Sequence, residues 1–199
     1  MFVDLLVEGP TDEMALSRVL KVCGLDKGVT FGRGGISKVR HMAPGLALRA
    51  AGSRTPLLVL VDLLGAEEDC VALVPDQIAP HRTPHTLVRV AVRELESWLL
   101  CDLEGVKSFF GTAGRRIPVE PESLPDPKRS FFQLALRSSR RAVRRGMVLD
   151  RSGVLVPGPD YLDLMSDFIG QHWEPERAKN CSQSLQRCMS RLEAMRHGH

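Results

Sequence analysis

Five apolar residues in a row, Leu57-Leu58-Val59-Leu60-Val61, follow Pro56 and stop at Asp62. An uninterrupted run of this length, without alternation, is how a strand covered on both faces of a parallel sheet reads. Such a strand needs helices on either side, so an α/β architecture follows. The flanking pattern agrees. Phe2 to Val7 is rich in β-formers, and after Glu8-Gly9-Pro10 the Thr11 hydroxyl can cap a helix to about Cys23, with Met14, Ala15, Leu16, Val19, Leu20 and Val22 at helical spacing. A short strand Val29 to Phe31, a glycine-rich turn and a helix from about Lys38 to Ala51 precede the LLVLV run. A helix from about Glu67 to Ile78, a strand Thr86 to Val92 and a helical Glu94-Leu95-Glu96-Ser97-Trp98-Leu99-Leu100 come after it. This alternation predicts an open, mainly parallel sheet flanked by helices, with right-handed crossovers.

Beyond about Asp102 the pattern changes. Proline and glycine punctuate Gly111 to Pro127, which is expected to be a loop, and Arg129 to Arg145 is expected to be one basic helix. Asp150 to Pro159 is expected to be a further connection, and Tyr161 to Ile169 and Glu176 to Met195 supply two closing helices. The predicted organisation is a core over 1–105 and a loop and helical extension over 106–199 packed on the same domain, a size one hydrophobic core can hold together. Asp102 and Glu104 read as ordinary surface acids, and Glu13 as solvated or paired.

Three expected strands run into acid: Val7 into Glu8, Val61 into Asp62, and Val92-Arg93 into Glu94 and Glu96. In open α/β sheets ligands sit beyond the C-terminal strand ends. Carboxylates gathered there repel one another unless a cation lies between them. Glu8, Asp12, Asp62, Glu94 and Glu96 are therefore candidate ligands for Mg²⁺ or Mn²⁺, the hard cations that oxygen donors select. Arg137, Arg140, Arg141, Arg144 and Arg145 have spacings of three, four, seven and eight from the first, which would place them on one side of a helix, a stripe suited to phosphate.

Several classes are disfavoured. The five cysteines are scattered without a C-x-x-C pair, which argues against a disulfide framework or a zinc site and fits a reducing cytoplasm. The chain opens on a strand bearing Asp4 and Glu8, unlike a signal peptide, and no apolar run approaches the roughly 20 residues that span a bilayer. Gly32-Arg33-Gly34-Gly35 lacks the lysine-serine ending of a nucleotide P-loop, and the six histidines show no metal-binding spacing.

The order strand, Glu8-Gly9-x-x-Asp12, helix, then an apolar strand ending in Asp62 resembles the TOPRIM domain of topoisomerases, bacterial primases, recombination mediators, ribosomal-RNA maturation nucleases and the OLD (overcoming lysogenization defect) nucleases. The segments ELESWLLCD, DPK and SQSLQRC are similar to those of small bacterial TOPRIM-like proteins related to the OLD group. The resemblance implies a metal-dependent nuclease acting on DNA. Glu8 would be a metal ligand or general acid-base, Asp12 the second acid, Asp62 the first aspartate of the D-x-D motif, and Glu94 and Glu96 the cluster completing a second metal site. Lys128 would steady charge on the transferring phosphate, and Arg129 with the arginine stripe would hold nucleic acid. A separately encoded ABC- or AAA-type ATPase partner and a part in phage defence are implied by the same analogy. The second aspartate of D-x-D is missing, its place taken by Leu64. Free-standing topoisomerase activity is disfavoured because Tyr161 is the only tyrosine. A structured-RNA ribonuclease and a non-catalytic module binding nucleic acid or an ATPase remain alternatives, and a homo-oligomer stays open.

Overall fold

The computed structural model of the protein describes residues 1–63, 71–80, 82–112, 114 and 117–197. Two units divide the chain: Met1–Val92 with Ser184–His199, and Arg93–Gln183. The boundary expected near residue 105 falls inside a helix of the second unit, Leu103–Phe110.

The first unit alternates β1 (Phe2–Val7), α1 (Pro10–Val22), β2 (Asp26–Gly32), α2 (Gly35–Ser53), β3 (Leu57–Asp62), α3 (Val74–Ile78) and β4 (Thr86–Ala91). Its four strands form an all-parallel sheet in the order β2-β1-β3-β4, flanked by helices. Interior strands β1 and β3 are the two most apolar, as burial on both faces requires: Val3, Leu5, Leu6, Val7 and Leu57 to Val61 are at most 2% exposed. Helix α1 buries Ala15, Leu16, Val19 and Leu20, and α2 buries the small residues Val39, Ala43, Ala47 and Ala50, stripes set by the helical period. Residues 64–70 lie outside the described residues; of the helix expected from about Glu67 to Ile78, residues 71–73 are turn and only α3 is helical.

One polar residue interrupts the apolar strand β1. Asp4, inside β1, accepts a hydrogen bond from the Val29 amide at 2.8 Å and pairs with Arg49 at 3.3 Å, where the β1–β2 register shifts between Val3 and Leu5. A β-carbon on Gly28 would lie 2.4 Å from Asp4 Oδ1, so glycine is required for this approach.

The second unit contains α4 (Leu95–Leu100), α5 (Leu103–Phe110), a 3₁₀ turn Pro121–Ser123, α6 (Pro127–Leu136), α7 (Arg141–Gly146), β5 (Val148–Arg151), β6 (Val154–Pro157), α8 (Tyr161–Asp167), a π-helical turn Phe168–His172 and α9 (Pro175–Ala178). The last helix, α10 (Gln183–His197), belongs from Ser184 onward to the first unit. Aromatic rings fill the second core. Phe109 stacks within 5.0 Å of both Phe110 and Phe168, Phe131 lies 5.1 Å from Phe110, and Trp173 Nε1 donates to the Trp98 carbonyl at 3.3 Å.

Three expected elements differ in the structure. The basic helix over 129–145 is two helices, because Ser138 Oγ turns inward to donate to the Phe110 carbonyl at 2.7 Å and accepts the Arg140 amide at 3.1 Å. Serine hydroxyls compete in this way with the helical ladder. The connection expected over 150–159 contains the β5–β6 hairpin, closed by Ser152 at φ 56° and Gly153 at φ 89°. Positive φ at both central residues defines the turn that matches strand twist, and Asp150 Oδ1 accepts the Gly153 amide at 2.7 Å. The single helix expected over 176–195 is likewise divided, into α9 and α10.

Asp102, expected at the surface, is fully buried. Its carboxylate accepts the amides of Gly105 at 3.1 Å and Glu174 at 2.7 Å and a bidentate pair from Arg177 at 2.7 and 2.8 Å. Arg177 also donates to the His172 carbonyl at 3.0 Å, and the carboxylate raises the guanidinium pKa above its ordinary value. One side chain thus ties the start of α5 to the segment preceding α9. Asp102→Ala is expected to destabilise the protein by about 2–4 kcal/mol, the scale for stripping partners from buried donors when the arginine can partly rehydrate. Urea denaturation followed by tryptophan fluorescence measures it, and a loss below about 1 kcal/mol would deny Asp102 this part.

Candidate active site

At the C-terminal edge of the parallel sheet the chain leaves β1 through Glu8 and enters α1 through Gly9, whose φ of −146° and ψ of 175° keep it extended before Pro10 starts the helix. Gly9, not Thr11, is the residue at the helix boundary. Asp12, in the first turn and 7% exposed, folds back to accept the Gly9 amide at 2.7 Å. Its carboxylate thereby fixes the turn that presents Glu8. Glu8 Oε1 in turn accepts the Asp62 amide at 2.9 Å, so the ends of the neighbouring strands β1 and β3 are joined by a functional-type side chain. Both Glu8 and Asp62 are half-buried. Glu8, Asp12 and Asp62 are therefore gathered on one sheet edge. Leu64, with Glu67 and Glu68, lies outside the described residues.

Glu13 points to a different group of partners. It pairs with Lys27 at 2.8 Å and Arg33 at 2.6 Å. Burial alone would raise its pKa, but hydrogen bonds from Arg33 and Lys27 outweigh it and lower the value from 4.5 to about 2.

Within the second unit, Glu94, Glu96 and Lys128 are brought together. Glu94 precedes α4 and accepts the Lys128 amide at 3.0 Å, so its carboxylate caps the start of α6. Burial is the main cause of an upward shift of the Glu94 pKa, aided by the charge of Glu96 and opposed by the Lys128 amide. Glu96 is 3% exposed and lies 3.5 Å from Lys128 Nζ. All three therefore have structural partners.

The basic residues do not form one stripe. Arg129 is exposed, and its amide is capped by Asp126 at 2.7 Å. Arg137 ends α6, whereas Arg141, Arg144 and Arg145 lie on α7. Arg140 sits over the Phe109 ring at 5.0 Å, donates to the Phe109 carbonyl at 3.2 Å and faces Asp167 at 3.7 Å. Arg144 donates to the Ser138 carbonyl. Arg137, Arg141 and Arg145 are exposed.

Oxygen donors of the type that Mg²⁺ or Mn²⁺ selects are present, yet among the described residues no group of three or more His, Cys, Asp or Glu side chains is arranged to hold an ion. Two carboxylates with waters and substrate oxygens are a usual complement for Mg²⁺. Among the described residues no helix is long and apolar enough to cross a membrane. Comparisons with models of protein families, with curated proteins and with solved structures found no match. The class that the coordinates define is an open α/β protein with paired acids at the carboxyl edge of its sheet.

The Glu13 cluster sets a pH dependence. Because the folded pKa lies below the ordinary 4.5, its contribution is complete above 4.5 and disappears as pH falls through about 2. Half-exposed partners reduce its size to about 1–2 kcal/mol. Glu13→Gln should therefore be less stable than the parent at neutral pH and should converge with it in acid. Denaturant titrations across that range test this, and a gap independent of pH contradicts it.

Proposed function

We propose that the protein is a Mg²⁺- or Mn²⁺-dependent nuclease of TOPRIM type that hydrolyses DNA phosphodiester bonds, with Glu8 and Asp62 at its reacting centre. The observation that carries this reading is their placement at the carboxyl ends of adjacent parallel strands, where ligands of open α/β sheets bind. When bound, the ion would supply a water of lowered pKa and steady the leaving oxygen. Glu8 and Asp62 would hold it, and Asp12 would act through the Gly9 turn by positioning Glu8. Exposed Arg137, Arg141 and Arg145 would contact backbone phosphates, which makes binding fall with rising salt. Dependence on an ATPase and a part in phage defence rest on the resemblance to OLD nucleases.

Purified protein with Mn²⁺ is expected to nick supercoiled plasmid, and Glu8→Gln and Asp62→Asn are each expected to slow nicking by roughly a hundredfold or more, the scale for removing a group that steadies transition-state charge. Equal cleavage by the parent and both variants would exclude this centre. A parallel assay with structured RNA separates the ribonuclease from the deoxyribonuclease.

One observation favours a second reading. Glu8 Oε1 is already committed to a backbone amide, and no three-donor group is found among the described residues. A non-catalytic module that binds nucleic acid would need neither. Retained DNA affinity in chelator, with no Mn²⁺-dependent cleavage, is its signature.

A further inference from the structure

We propose that the first unit carries a second site, for a small organic phosphate monoester, in a cleft where the loop before β4 and the start of that strand meet α3 and α10. Glu8 and Asp62 lie at the carboxyl edge of the sheet. In an all-parallel sheet the start of β4 belongs to the opposite edge, so the two sites share no residue. The cleft has a volume of about 450 Å³, within the roughly 300–1,000 Å³ of small-molecule pockets.

Three guanidinium groups line it, Arg82, Arg89 and Arg191. Arg82 pairs with Asp76. Among the described residues no carboxylate pairs with Arg89 or Arg191, although Arg89 is half-buried inside β4. Burial is the larger cause of a downward shift in the Arg89 pKa, and the charge of Arg191 lowers it further. A partly dehydrated guanidinium beside a second cation is costly, and an anion between them removes that cost.

Unsatisfied donors point the same way. Arg89 Nε and the hydroxyls of Thr83 and Thr86 are buried without a hydrogen-bond partner, and Thr86 is only 6% exposed. All three residues line the cleft. Buried polar groups in folded proteins are almost always satisfied, so three orphaned atoms on residues that line one cavity point to a ligand there, met when these side chains turn toward it. Phosphate oxygens accept simultaneously from guanidinium and hydroxyl donors, and arginine is the side chain best suited to them. A terminal phosphate, slimmer than an internal phosphodiester, is the group that such recessed donors favour, which selects a monoester. Leu87, Val88 and Met195 supply an apolar wall for the organic part.

Calorimetric titration of the full chain in chloride buffer, with adenosine monophosphate, inorganic phosphate, adenosine and a DNA duplex as separate titrants, tests the proposal. Adenosine monophosphate is expected to bind, inorganic phosphate to compete with it more weakly, and adenosine not to compete. Arg191→Gln and Thr86→Val should each weaken binding by roughly tenfold, the scale of one lost charge-assisted bond. Arg191 is exposed on α10, so its variant keeps the test valid if Thr86→Val does not fold. Absence of adenosine monophosphate binding, affinity unchanged in Arg191→Gln, or binding of the duplex alone would overturn the site. Plasmid nicking is read separately, so loss of the nuclease proposal leaves this one standing.

Discussion

Where strand β3 runs past the end of β1, its last ladder donor meets a side chain instead of a carbonyl. The Leu63 amide goes to Ala91 of β4, so the Asp62 amide, one residue earlier, turns toward β1, whose strand ends at Val7. Glu8 takes that donor through its carboxylate. A buried amide without an acceptor would oppose the register that lets β1 and β3 cover both apolar faces. The acid that marks the sheet edge chemically also completes it mechanically. Asp12 repeats this economy one turn later, with a carboxylate closing the Gly9 turn.

Much of the first unit could be read from residues. Leu57 to Val61 has no polar interruption because both faces are covered, and that property is local to the sequence. The same holds for α1, whose buried face follows the helical period. What escaped depended on partners distant along the chain. Asp102 looks like any acid between two helices until Arg177 and the Glu174 amide, more than seventy residues later, converge on it. Arg129 to Arg145 satisfies helical spacing, and only the carbonyl of Phe110 reveals why Ser138 leaves the ladder. By contrast, the Ser152-Gly153 turn had a local signal, a serine-glycine pair between two short apolar runs, masked by the prolines that follow. For the candidate site, placing Glu8, Asp12 and Asp62 on one edge needed only the strand ends, whereas the capping contact of Glu94 with α6 needed tertiary structure.

Charges divide into those answered inside the fold and those left over. Asp4, Glu13, Asp102 and Glu96 each have a cationic partner. Arg140 is absorbed by Phe109 and Asp167. Buried charge without such an answer is rare because dehydration is costly, which gives the remaining guanidinium groups more meaning than their number suggests. Arg89, inside β4, is the clearest of them: its Nη1 donates to the Val88 carbonyl at 3.1 Å, and no carboxylate among the described residues pairs with it.

Helix α10 gives the molecule a history as well as a shape. The second unit is one continuous segment, residues 93–183, whereas the first is assembled from the beginning and the end of the chain. During ribosomal synthesis the later unit can therefore finish first, while β1 to β4 wait for Leu185, Cys188, Met189 and Leu192 to supply the last buried side chains. Burial so complete pushes the Cys188 thiol pKa up to about 12, so it arrives as a neutral hydrophobe. A ribosome that stalls before residue 184 holds a chain whose first unit still lacks α10.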